Sequence, residues 1–115
     1  MKFSVCVAVL ADELEERAID LAREAGAGGI TILNARGLGA EAKKTFFGLT
    51  FEGGQTVLLM VLEKKLSLKV MKALSTGLEL RQKSCGVVFT LPLEHIVGID
   101  WRQLDRFQEE VRDEL

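Results

Sequence analysis

The chain has 115 residues, of which 48% are hydrophobic and 28% charged, and its formal net charge at pH 7 is -2. This length and composition predict one globular domain over residues 1–115 and argue against a disordered chain. Both charge signs are interspersed, so the sequence offers no basic patch for nucleic acid. The longest apolar runs, such as Val57–Leu62, are far below the ~20 residues of a membrane span, and we expect a cytoplasmic protein.

The first half of the chain alternates apolar runs with one amphipathic stretch. Residues 2–10 (KFSVCVAVL) predict a first strand, because β-branched residues recur there without helical spacing. Asp12 is the expected N-cap of a first helix that ends at Gly26, with apolar residues at steps of three and four. The second and third strands are predicted at residues 28–36 (GGITILNAR) and 55–64 (QTVLLMVLEK).

The second half repeats this order. A second helix is predicted from about Leu66, with STG at residues 75–77 as its C-terminal stop. The fourth strand is predicted at residues 85–93 (CGVVFTLPL), closed by Pro92, the only proline. Further apolar residues at helical spacing predict a C-terminal amphipathic helix: Trp101, Leu104, Phe107, Val111 and Leu115.

The order βαββαβ predicts an α+β, ferredoxin-like fold with a four-stranded antiparallel sheet, both helices on one face, plus the C-terminal helix. The third strand has six consecutive apolar residues, Val57–Leu62, so both of its faces require burial. One C-terminal helix is too narrow to cover a whole sheet. We therefore expect a homo-oligomer.

Gly37–Ala42 matches the G-x-G-x-x-A pattern of a dinucleotide-binding turn, which requires a helix directly afterwards. The following segment instead contains three phenylalanines and three glycines, and each interior glycine would cost a helix about 1 kcal/mol. A loop over residues 38–54 is predicted, which is much longer than a hairpin turn. Its phenylalanines, at 46, 47 and 51, indicate contact with a partner protein or packing back onto the oligomer.

No pattern of catalytic or metal-binding residues is present. His95 is the only histidine, and no nucleophile or acid at a local spacing accompanies it. Cys6 and Cys85 are far apart in sequence and are expected to be buried or idle thiols. We predict no enzyme activity, no catalytic residues and no metal site.

Four segments together resemble the nitrogen-regulatory P-II signalling proteins, especially their P-II-like relatives with a shorter loop. They are GGITILNARGLG before the long loop, TVLLMVLEKK, the helix ending in STG, and CGVVFTLPLEHIVGI. The resemblance covers about residues 2–99. It implies a ferredoxin-like homotrimer that binds nucleotides in clefts between subunits and contacts partner proteins through the loop between the second and third strands.

The resemblance also implies site residues. Thr31 and the end of the third strand at Glu63 match the adenine pocket, while Gly37 and Gly39 match the loop base. Gly86 matches the second glycine of a phosphate-facing loop. The full expected cleft set is Thr31, Arg36, Gly37, Gly39, Glu63, Arg81, Lys83 and Gly86. The expected partner-contacting cluster of the loop is Lys43, Lys44, Thr45, Phe46 and Phe47.

The sequence departs from the family pattern at the phosphate contacts. The lysine that follows the second glycine in nucleotide-binding members is replaced at Val87–Val88, and two arginine positions hold Gly98 and Asp100. Anion binding would then depend on cations from other directions, namely Arg36, Lys43, Lys44, Arg81 or Lys83. The expected effector is ATP, ADP, AMP or another small anion, and the sequence makes no cofactor certain.

The predicted function is that of a P-II-like regulatory protein in nitrogen regulation, a trimeric small-molecule sensor whose loop 38–54 contacts a partner protein. The alternative is a ferredoxin-like trimeric structural or metal-handling protein resembling the divalent-cation-tolerance family. One histidine and two separated cysteines supply few ligands for that alternative.

Overall fold

The computed structural model describes residues 2–37, 45–46, 49–50 and 54–99. A single turn of 3-10 helix, Asp12–Leu14, precedes the first α-helix. The assigned elements are β1 Phe3–Ala11, α1 Glu15–Glu24, β2 Thr31–Ala35, β3 Thr45–Phe46, β4 Leu49–Thr50, β5 Gln55–Glu63, α2 Lys64–Gly77 and β6 Gly86–Pro92.

Four strands form one sheet in the order β2-β5-β1-β6, and each neighbouring pair is antiparallel. β3 and β4 pair separately as a two-stranded hairpin. The first strands of the two βαβ units, β1 and β5, lie in the middle of this sheet, and their second strands, β2 and β6, lie at its edges, which is the ferredoxin-like arrangement. The predicted α+β fold is therefore confirmed, while the predicted C-terminal helix lies outside the described residues.

The core lies between the two helices and one face of the sheet. On β1 and β5 the even-numbered side chains point to the helices, with Cys6 opposite Met60 and Ala8 opposite Leu58. These side chains are fully buried and cluster with apolar residues of α1 and α2: Ala18, Ala22, Leu66, Val70 and Leu74.

The odd-numbered side chains form the opposite face of the sheet, which we call the open face, because both described helices lie on the other side. Large apolar side chains remain accessible there: Leu91 is 52% exposed, Leu33 46% and Val61 42%. The open face comprises Phe3, Val5, Val7, Val9, Thr31, Leu33, Val57, Leu59, Val61, Val87, Phe89 and Leu91. Thr31 is the one polar residue among these twelve, while the ends of β5 add the polar odd-numbered residues Gln55 and Glu63. On β1, Phe3, Val7 and Val9 are buried in the single chain.

The start of the first helix differs from the prediction that Asp12 is its N-cap. α1 begins at Glu15, its N-cap residue is Leu14, and no side chain caps it. The Asp12 carboxylate instead accepts a hydrogen bond from the Thr56 hydroxyl, at 2.7 Å. The Asp12 carboxylate therefore binds Thr56, a residue distant in sequence, instead of a backbone N–H group of the helix.

The end of α2 also differs in detail from the predicted glycine stop. Gly77 is the last helical residue, and a Cβ there would collide with the Leu21 side chain of α1. The left-handed residue is Glu79, with φ 54°. The Leu80 N–H donates to the Ser75 carbonyl at 3.0 Å, and the Glu79 N–H donates to the Thr76 carbonyl at 3.3 Å, as in a Schellman cap. Gly77 thus allows α2 to pack closely against α1, and Glu79 adopts the left-handed conformation of the turn.

The other predicted boundaries are correct to within a few residues. β2 begins at Thr31, three residues after the predicted start, and α2 begins at Lys64, two residues before it. Of the helices in the described ranges, neither has the length and hydrophobicity needed to cross a membrane.

Candidate functional site

The predicted partner loop leaves and re-enters the fold at one end of the sheet. Arg36 and Gly37 directly follow β2, whose last residue, Ala35, pairs with Gln55 at the start of β5. The Arg36 side chain is exposed. The base of the segment 38–53 therefore carries a solvent-accessible cation.

A buried hydroxyl fastens this end of the sheet to the start of α1. Thr56 is fully buried, and its hydroxyl oxygen lies 2.7 Å from Asp12 Oδ1 and 3.0 Å from Glu15 Oε1. Gly54 allows the close approach, because a Cβ there would lie 2.5 Å from Asp12 Oδ2. No local sequence signal predicts this contact, since the partners are more than 40 positions apart. It holds the returning end of the loop in place.

A second group of predicted residues lies between α2 and β6. Arg81 and Gly86 line the same surface cavity, of about 390 Å³. Lys83 instead pairs with Glu79, with 2.7 Å between Nζ and Oε2. Their hydrogen bond, together with the charge attraction, raises the pKa of Lys83 and lowers that of Glu79. Arg81 is therefore the cation of this group that is open to a ligand.

Packing explains the glycine at position 86. A Cβ there would collide with the Leu10 side chain and would lie 3.1 Å from the Val9 carbonyl oxygen on the neighbouring strand. A glycine at this position is required by the approach of β6 to β1, whether or not a ligand binds nearby.

Thr31 and Glu63 occupy different surroundings. Thr31 is exposed on the open face, opposite Leu59 of β5. The Glu63 carboxylate accepts hydrogen bonds from the backbone N–H groups of Lys65, at 2.8 Å, and Leu66, at 3.4 Å. It is the N-cap of α2, a role that the sequence interpretation missed because the usual N-cap residues are Ser, Thr, Asp and Asn.

One chain does not bring the predicted cleft residues together. Arg36 and Gly86 lie at the same end of the sheet, but β2 and β6 are its outer strands, which are about 14 Å apart at ordinary strand spacing. Glu63 pairs with Phe3 at the other end. Within one chain, these three residues therefore lie too far apart to share one cleft.

Several predicted residues lie outside the described ranges: Gly39, Lys43, Lys44 and Phe47. Thr45 and Phe46 form β3, for which the structure gives the backbone pairing with β4. Their predicted contact with a partner protein stays a prediction.

The histidine and the two cysteines lie in different surroundings within the described ranges. No group of three histidine, cysteine or acidic side chains suited to a metal ion occurs there, and His95 is exposed. Cys6 is fully buried, and this burial raises its pKa to about 11. Cys85 is partly buried, and its pKa is also raised, chiefly by desolvation. Both thiols are therefore protonated at neutral pH, which makes them poor nucleophiles.

A comparison with protein families gives one match that spans most of the chain. The family described as nitrogen regulatory protein P-II matches residues 4–103. No curated protein sequence matches.

Solved structures with the same fold are P-II-like proteins. A PII-like signalling protein from Thermus thermophilus is 20% identical, with a TM-score of 0.62 over 81% of this chain and 87% of that one. CPII, a nitrogen regulatory PII-like protein from Thiomonas intermedia, was solved bound to ADP, AMP and bicarbonate. It is 19% identical, with a TM-score of 0.61 over 86% of this chain and 98% of that one. At these identities the likeness establishes the fold alone.

Proposed function

Because the chain belongs to the nitrogen regulatory protein P-II family, we propose that it is a homotrimeric signalling protein that senses a small molecule in the clefts between its subunits. The family match over residues 4–103 is the observation that carries this proposal. The protein acts as a cytoplasmic regulator without catalysis of its own, and its segment 38–54 contacts a partner protein.

The apolar open face supports assembly. Its exposed large apolar side chains lie on β2, β5 and β6, at Leu33, Val61, Phe89 and Leu91, and water contact with such an apolar surface is unfavourable. Three copies that turn their open faces inward would bury it, leaving the helices outside. The outer strands, β2 and β6, would then lie at the borders between copies.

The positions of the predicted cleft residues support a ligand site at those borders. Arg36 and Gly37 follow β2, while Arg81 and Gly86 precede or begin β6, at the same end of the sheet. A β2 edge of one copy beside the β6 edge of the next would bring both groups to one cleft. The base of segment 38–53 belongs to the same cleft, so ligand occupancy can control the loop.

An adenine nucleotide is the proposed ligand class, with a small anion as its alternative. The related CPII structures contain ADP and AMP with bicarbonate or acetate. In this chain Val87 and Val88 cannot replace the family's phosphate-binding lysine, since their side chains are apolar. Arg36 and Arg81 are exposed predicted cations at the proposed cleft that can contact phosphate.

A thermal-shift screen with ATP, ADP, AMP, cyclic nucleotides, bicarbonate and 2-oxoglutarate tests the proposal. A ligand that binds only the folded protein raises the melting temperature by mass action. We expect a shift with at least one adenine nucleotide, and loss of that shift in Arg36→Ala. Arg23→Ala is the matched control, because Arg23 is an exposed arginine in the last turn of α1, whereas the first turn of this helix, at Glu15, contacts the loop base through Thr56. Absence of a shift with every compound would contradict ligand sensing.

A further inference from the structure

The last turns of α2 and the chain that follows them form two adjoining surface cavities. The first, of about 390 Å³, is lined by Met71, Lys72, Ser75, Leu80, Arg81, Gly86, Val87 and Val88. The second, of about 590 Å³, is lined by Lys72, Ser75, Thr76, Glu79, Arg81 and Gln82. Lys72, Ser75 and Arg81 line both, so two cations and a hydroxyl stand where the cavities meet.

The positive charge at this junction is not neutralised by the described residues. Neither Lys72 nor Arg81 has an ion-pair partner in the described part of the chain, and both side chains are exposed. Glu79 is the acidic residue that lines the second cavity, and its carboxylate is paired with Lys83 at 2.7 Å. The nearby carboxylate is thus already occupied by a cation outside the cavity lining.

The carbonyl groups at the end of α2 do not require these cations either. The carbonyls of Leu74, Ser75 and Thr76 accept hydrogen bonds from the N–H groups that follow the helix. Lys72 and Arg81 are therefore available to a ligand rather than committed to capping the helix, which is the usual structural role of basic residues there.

The edge strand β6 adds backbone donors on the same side. Its odd-numbered residues face β1, because the Ala11 N–H donates to the Cys85 carbonyl and the Leu93 N–H donates to the Phe3 carbonyl. Alternation in an antiparallel strand then directs the N–H groups of Gly86 and Val88 away from β1, toward the outer edge of the sheet as the described strands form it. Both residues line the first cavity.

We propose that the junction of the two cavities is a phosphate subsite, in which the Lys72 ammonium, the Ser75 hydroxyl and the Arg81 guanidinium bind the phosphate group of a small phosphorylated ligand. Lys72 would supply from α2 the cation that Val87 does not supply from β6. The apolar part of the first cavity, at Met71, Leu80 and Val88, suits the organic body of such a ligand. This inference rests on the proposed sensor function, because the cavities open at the β6 border of the chain.

Calorimetric titration of the full-length protein with AMP, adenosine and inorganic phosphate tests the subsite. In the native protein AMP should bind roughly tenfold or more tightly than adenosine, as expected for one or more charge-assisted hydrogen bonds to phosphate. Lys72→Ala should remove most of that difference and leave adenosine affinity unchanged, whereas Lys72→Arg should retain it. Lys65→Ala is the matched control, since Lys65 is an exposed lysine in the first turn of α2.

The outcomes separate this inference from the sensor proposal. Tighter binding of AMP that persists in Lys72→Ala would overturn the subsite and leave nucleotide sensing intact. Binding of inorganic phosphate that depends on Lys72, without binding of AMP or adenosine, would support the subsite and contradict nucleotide sensing. Binding of none of the three would overturn the subsite. Circular dichroism and melting curves confirm that each variant is folded.

Discussion

The Cys6 thiol lies in the middle of β1, fully buried among apolar side chains of the helix-facing core. Desolvation raises its pKa from 9.0 to about 11. In the unfolded chain the thiol ionises near its ordinary pKa of 9.0. In the folded chain it stays protonated up to a pH about two units higher. Folding is therefore favoured by this group below pH 9, and the contribution is lost as the pH rises from 9 to 11.

This difference predicts a pH-dependent loss of stability that can be assigned to one residue. Between about pH 8.5 and 10.5 the free energy of unfolding should fall by about 2 kcal/mol more in Cys85→Ala than in Cys6→Ala/Cys85→Ala. The shared Cys85→Ala change removes the other thiol. Urea unfolding at the two pH values measures the effect, and identical pH dependence in both variants would show that the Cys6 thiol is not desolvated.

Glu79 is a non-glycine residue in a left-handed conformation, with φ 54°. This conformation costs an ordinary residue about 1–2 kcal/mol more than it costs glycine, although glycine loses more entropy on folding. Glu79→Gly should therefore raise the free energy of unfolding by about 0.5–1 kcal/mol, despite loss of the exposed pair with Lys83.

Glu79→Ala is the control, because alanine removes the carboxylate while retaining the Cβ. We expect it to be no more stable than the native chain in the same urea titration. Stabilisation of the alanine variant equal to that of the glycine variant would assign the effect to charge instead of backbone conformation.

At the scale of the elements, the stability of α2 depends on hydrogen bonds to the backbone of its first turn. Glu63 ends β5 and its carboxylate accepts hydrogen bonds from two N–H groups at the helix start. Glu63→Ala should lower the free energy of unfolding by about 1 kcal/mol, the usual loss for a removed N-cap. Chemical denaturation without ligand measures this value separately from any role of Glu63 in the proposed cleft.

Glu63→Gln separates capping from charge. Glutamine keeps an oxygen acceptor, so it should retain part of the stability that alanine loses. If Glu63→Ala were as stable as the native chain, the two hydrogen bonds would contribute nothing to the helix.

The sequence predicted the strands well, because β-branched runs such as residues 2–10 and 55–64 have no helical spacing. It also predicted the four-stranded antiparallel sheet with both helices on one face, since βαββαβ leaves few alternatives. The caps were harder to predict. Asp12 carries a cap-type side chain, yet Thr56, 44 positions away, is its partner, and Gly77 carries the usual stop signal while Glu79 adopts the left-handed backbone.

The candidate site was predicted in part. The resemblance named Arg81 and Gly86, and the structure places both on one cavity. It could not show that Lys83 is paired with Glu79, since both residues are polar and lie in one turn. Lys72 was not singled out, because a lysine on an amphipathic helix has no distinguishing sequence pattern. Only packing of α2 beside β6 places it at a cavity.

For the whole molecule, the proposed trimer requires that the open face be buried. Leu91→Glu places a charge on this face at the most exposed of its large apolar positions, with 52% exposure in the single chain. Burial of an unpaired carboxylate is strongly unfavourable. Sedimentation should give about three times the 12.7 kDa chain mass for the native protein and a mass near that of one chain for the variant.

Leu68→Glu is the matched control. Leu68 is 40% exposed on α2, which lies on the other side of the sheet. This variant should retain the native mass. A native protein that sediments as one chain, or equal dissociation by both variants, would contradict burial of the open face between copies.

The central claim is that this P-II family protein senses an adenine nucleotide at a site that includes the loop base. Titration of the native assembly with ADP in a calorimeter tests it most directly. We predict saturable binding of one ADP per chain, lost in Arg36→Ala and retained in Arg23→Ala. No binding of ADP by the native assembly, or equal binding by both arginine variants, would contradict the account.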